Sequence, residues 1–160
     1  MTDRARRPRF DGPSPETPPS RRVVSAAAAT PATTASKRIC EVSQIYSNKK
    51  TGNEVARISF FYDPQKKDHL MAAVRTLVDA SFEKPVQVLD GEKELIKGAY
   101  KRCVGNYCYA EIETPAAQLA NMGSSENLSL LFPISNGQLL RIPMASKGLT
   151  AALDALKSHR

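Results

Sequence analysis

The sequence predicts a mainly β protein, an antiparallel β-sandwich with one short helix and a C-terminal helix. Three observations point there. Apolar residues recur at every second position in several short segments, turn signals separate those segments, and two cysteines flank one of the turns. The chain has 160 residues, room for one ordinary domain with a single core. Trp is absent and aromatics make up 6%, so that core must be mostly aliphatic.

Residues 1–36 hold 6 of the 11 prolines, with Arg, Ser, Thr and Ala filling most of the rest. Such a composition buries too little apolar surface to offset the entropy of ordering, so 1–36 reads as a disordered leader and 37–160 as the domain. The net charge of +7 is concentrated at the front: residues 1–38 carry 8 Lys/Arg against 3 Asp/Glu, and the other 122 residues carry 15 against 13. The domain is therefore nearly balanced and shows no basic face with stacking aromatics, which argues against a nucleic-acid partner. Lys49-Lys50 and Lys66-Lys67 fall in turn-like segments and read as solvated charges. No apolar run is long enough to span a bilayer. Arg21-Arg22 followed by Val23 through Ala29 has the order of an export signal, but it is short and weakly apolar, and its composition favours a linker.

From Lys37 onward period two dominates. A strand over 38–47 leads through a polar Asn48–Asn53 loop into a second, where Ala56, Ile58, Phe60 and Tyr62 form an inner face. Segment 69–78 suits helix or buried strand by apolarity; Val74, Thr76 and Val78 favour strand. Asp90-Gly91 marks a tight hairpin between 86–89 and 92–96. In the last hairpin a two-residue loop would put the two apolar sets on opposite faces. A three-residue loop, Ser135-Asn136-Gly137, sets Phe132 opposite Leu140, Leu130 opposite Ile142 and Leu128 opposite Met144. Burial of one shared face selects the longer loop, with Gly137 as its left-handed residue. A short helix is expected over 115–122, opening on proline and stopping at Gly123. The terminal helix is expected from near Ser146, with Leu149, Ala152, Leu153 and Leu156 on one face.

Chemistry centres on Cys103 and Cys108. They flank four turn-like residues, Val104-Gly105-Asn106-Tyr107, and as facing positions of a hairpin they lie within disulfide reach. The same register sets Lys101 opposite Ala110 and Ala99 opposite Ile112, leaving Cys108, Ala110 and Ile112 on an inward face. A bridge closing so short a loop contributes about 2 kcal/mol in the chain-entropy model, and it implies an oxidising compartment. The competing reading is a redox-active dithiol, which usually needs a C-x-x-C spacing at a helix start. Cys40 is the odd cysteine: a missing partner, a cross-chain bridge, a free thiol and a small buried hydrophobe all fit it. His69 and His159 are the only histidines, so no metal set forms. Glu111 and Glu113 alternate on an outward strand face, and no catalytic residues or cofactor loop assemble.

Three segments resemble the invasion-associated locus B family of bacterial envelope proteins. They are Arg38-Ile39-Cys40-Glu41-Val42 leading to Lys50-Thr51-Gly52, Arg102-Cys103 through Cys108-Tyr109-Ala110, and Ser146-Lys147-Gly148 followed by the Ala/Leu helix to Leu156. The resemblance implies an immunoglobulin-like sandwich and export to the periplasm or cell envelope. It also implies association with host-cell invasion or envelope function through a protein partner in the envelope or on a host cell, no established enzymatic activity, and pairing of Cys103 with Cys108. Family members carry a signal peptide and then a Gly-Asp-Trp strand, whose cysteine can pair with the one matching Cys40. Here the leader stands in that place, so Cys40 lacks that partner, and an edge without its strand invites pairing with a second copy of the chain.

Overall fold

The computed structural model describes residues 20–22, 39–66, 68–77 and 79–159, the first three as backbone. The described chain runs β1 (Ser20–Arg22), β2 (Glu41–Ser47), β3 (Glu54–Tyr62), β4 (Leu70–Leu77), β5 (Val86–Asp90), β6 (Lys93–Gly98), β7 (Tyr100–Val104), β8 (Tyr107–Glu113), α1 (Ala116–Ser124), β9 (Leu128–Pro133), β10 (Leu139–Pro143) and α2 (Leu149–Ser158). One sheet has the order β1-β2-β3-β4-β8-β7, the other β10-β9-β5-β6, and the pairs are antiparallel. This is the predicted sandwich. Of the 1–36 leader, Ser20–Arg22 pairs with β2 along Ser47, Tyr46 and Ile45. The rest of the leader, with most of the signal-like stretch, lies outside the described residues, as do Lys67 and Val78.

Alternation on β3 carries into its neighbours by register. Val42, Phe60, Ala72 and Ile112 form one inward row; Gln44, Ile58, Val74 and Ala110 the next; Tyr46, Ala56, Thr76 and Cys108 the third. The apolar members pack into one core with Val86, Val88, Leu130, Phe132 and Ile142 of the facing sheet. Tyr62, at the end of β3, is half-buried. Helix α2 inserts Leu149, Leu153 and Leu156 into the same core, packs against β2 and β3, and touches α1.

The β9–β10 hairpin has the expected pairs, Phe132 with Leu140 and Leu130 with Ile142. The Met144 amide donates to Leu128 O at 2.8 Å, and Gly137 takes φ 80° at the turn. Other turns shift by a residue. In β5–β6 the loop is Gly91-Glu92, closed by Asp90 and Lys93, because Gly91 (φ 58°) takes the first loop position as in a type II′ turn. A bulge opposite Val88/Leu89 then lets both Leu95 and Ile96 be buried. Helix α1 runs through Gly123 to Ser124 instead of stopping there. Thr150 of α2 fills the space a side chain at Gly123 would occupy, so this glycine serves helix contact and not termination. Helix α2 begins at Leu149, after Gly148 in the left-handed region (φ 81°), three residues later than expected.

Two polar or backbone details join the layers. Gln44 points inward at 6% exposure; its Nε2 donates to Ala145 O at 2.6 Å, and its Oε1 accepts from the Ala145 amide at 3.1 Å and the Tyr46 hydroxyl at 2.7 Å. At the crossing from β6 to β7, Gly98 lies against Glu111 and Ile112 of β8 so closely that a Cβ would overlap the Glu111 carbonyl.

Replacing Gln44 with Leu keeps the volume but strands the Ala145 amide and carbonyl; urea unfolding should show a loss of about 2–3 kcal/mol. Gly98→Ala should cost about 1–3 kcal/mol by overpacking against β8, read from the same unfolding curves.

Candidate functional site at the disulfide-closed hairpin

Cys103 and Cys108 face each other across β7 and β8, joined by a disulfide, with Cα atoms 3.9 Å apart. The hairpin is tighter than expected. Val104 pairs with Tyr107, leaving only Gly105-Asn106 as loop, with Gly105 at φ 58°. Beyond the cysteines a bulge at Lys101 brings Tyr100, not Lys101, opposite Ala110, and Ala99 falls outside the strand. The physical reason is burial of Tyr100. Its ring enters the core and its hydroxyl meets that of Thr76 at 2.8 Å, while the Lys101 side chain stays in water. Cys108, Ala110 and Ile112 do share the inward face. Burial pushes the Tyr100 phenol above its ordinary 10.0, with the Thr76 hydrogen bond working the other way.

The outer face near this hairpin is polar and aromatic. Glu54 accepts from Arg57 at 2.9 Å and from Arg75 at 2.5 Å, and the Arg75 guanidinium lies 4.5 Å above the Tyr107 ring. Partial burial works to lower the Arg75 pKa, but the hydrogen bond and charge of Glu54, with Tyr109 adding, outweigh it and raise the pKa above the ordinary guanidinium value. Apolar groups adjoin this cluster. Leu77 is opposite Tyr107, itself opposite the 58% exposed Val104. Phe82, 53% exposed, packs its ring 5.4 Å from that of Tyr100.

Cys40 is a free, half-buried thiol just before β2, packed against the core. Strands β3 and β4 separate β2 from β8, so the fold does not bring it to Cys103 and Cys108. His69 lies beside Asp68 and Glu113 in an open cleft of about 260 Å³, and Asp68 has φ 71°. Among the described residues no three His, Cys, Asp or Glu side chains converge to hold a metal. Glu111 and Glu113 are exposed on β8. Reasoning from sequence missed the Gln44 clamp, the Thr76–Tyr100 pair and the Glu54 cluster. Parity was the available signal for the first: Gln44 falls between Val42 and Tyr46 on the inward face.

The three segments singled out in the sequence occupy structural joints. Cys40 enters β2, and Lys50-Thr51-Gly52 turns on Asn48, whose Oδ1 accepts from the Lys50 amide at 2.8 Å. The cysteine pair closes β7–β8, and Ser146-Lys147-Gly148 turns the chain into α2. The family model described as "Invasion associated locus B (IalB) protein" matches residues 25–157.

The chain belongs to the invasion-associated locus B family.

A solved structure of invasion associated protein B from Bartonella henselae is similar with a TM-score of 0.65 at 18% identity, covering 76% of this chain and 86% of that one. At that identity the likeness shows the fold alone. The comparison with curated proteins finds no match. The invasion-associated locus B family is one of bacterial envelope proteins with no known enzymatic activity, and no helix among the described residues is long and apolar enough to cross a membrane.

Because the folded state holds the Tyr100 proton more tightly, the stability linked to it is intact below pH about 10 and is lost as pH rises through its folded pKa. Unfolding measured between pH 9 and 11 should therefore decline more steeply in the wild type than in Tyr100→Phe, which at neutral pH costs about 1 kcal/mol for the lost Thr76 partner.

Proposed function

We propose that this is a non-catalytic, exported protein of the bacterial periplasm or cell envelope, associated with host-cell invasion. It acts through contacts with another protein in the envelope or on a host cell. The 37–160 domain makes those contacts, and 1–36 is a leader. The family match over residues 25–157 carries this reading. The joined Cys103–Cys108 pair supports it, since such bridges persist in oxidising compartments. In this reading the bridge is structural and Cys40 is an unpaired thiol.

A thiol-redox role for the same pair has one observation in its favour: Cys103 is exposed, so reductants reach the bridge from water. Against it, both cysteines sit within paired strands, away from any helix start that would lower a thiol pKa. A bridge that survives mild reductant removes the redox reading.

The decisive measurement is the intact mass of the protein from its native cell, alkylated without reduction. A shortened leader with a single alkylated thiol is expected. A full-length chain with three alkylated thiols would overturn the envelope assignment.

A further inference from the structure

We propose that the free edge of β7 docks an extended peptide bearing acidic residues, added as a further strand to the six-stranded sheet. This deepens the protein-contact reading above and rests on it. The opposite edge of the sheet is already covered by Ser20–Arg22 on β2, whereas β7 ends the sheet among the described residues.

Three features make this edge receptive. The first is backbone. With a two-residue loop, Val104–Tyr107 is the hydrogen-bonded closing pair, so Cys103–Cys108 is the narrow, non-hydrogen-bonded one, as a Cα separation of 3.9 Å requires. The amide and carbonyl of Cys103 therefore face away from β8, at a position the disulfide holds in place before any partner arrives. The second is apolar area on both sides of the strand. Val104 lies on the outer face beside Tyr107 and Leu77, and Phe82 lies on the other side against Tyr100. An added strand alternates its side chains between the two faces and covers both.

The third feature is charge, and it selects the occupant. Lys101 and Arg102 are exposed, and β7 contains no acid. The nearest acids of β8, Glu111 and Glu113, lie beyond the point where β7 pairs. A second copy of β7 would set two Lys101-Arg102 pairs against each other within a five-residue edge, and facing like charges destabilise strand pairs. An incoming strand with Glu or Asp beside Arg102 and an apolar residue over Phe82 meets both requirements.

The test is fluorescence-anisotropy titration of the oxidised full chain with a labelled peptide alternating Val and Glu. A Val/Lys peptide and a backbone N-methylated Val/Glu peptide serve as controls. The Val/Glu peptide should bind at least about tenfold more tightly than Val/Lys, and N-methylation should abolish binding. Arg102→Glu, an exposed change whose folding circular dichroism verifies, should reverse the preference. Absence of Val/Glu binding overturns the proposal. So does binding that ignores N-methylation or Arg102→Glu, and so does self-association in sedimentation that Val104→Glu abolishes. None of these results alters the thiol count and leader length by intact mass, so the docking strip can fail while the envelope reading stands, and the reverse.

Discussion

Gln44 sits at an inward position of β2, in a row otherwise made of Ile58, Val74 and Ala110, and uses its amide to hold both backbone groups of Ala145. Ala145 is the point where the chain leaves the β10 side of the second sheet and turns toward α2. Left unpaired in that buried place, its amide and carbonyl would cost more than the segment's apolar contacts easily offset. With them satisfied, Leu149, Leu153 and Leu156 reach the core and α2 rests on β2 and β3. The Tyr46 hydroxyl shares the same Gln44 oxygen, so one side chain ties β2 of the first sheet to the exit of the second.

The other end of the first sheet is governed by a bulge. Lys101 is set aside so that Tyr100 enters the core and meets Thr76, while Cys103 still faces Cys108. Gly98 permits the preceding close approach to β8, which is how the chain passes from one sheet to the other without a long connection. A disulfide-held, positively charged edge results, flanked by exposed apolar side chains.

Strand identity, the aliphatic core, the final hairpin register and the facing cysteines were all legible in the sequence. Each follows from period-two patterning or from local turn chemistry, and both are properties of a few neighbouring residues. The family resemblance rested on the same local features, since its segments are the turns into β2–β3, β7–β8 and α2.

What only the tertiary structure decided are the features that depend on a partner far along the chain. Gly123 looked like a helix stop because glycine often is one; the side chain of Thr150 in another helix makes it a contact point. The bulge at Lys101 exists because Thr76, on β4, offers Tyr100 a buried hydroxyl. Gln44 gains its role from Ala145, a residue 101 positions away. Local pattern assigns a side chain to a face, but only the packed molecule determines which distant group it meets there.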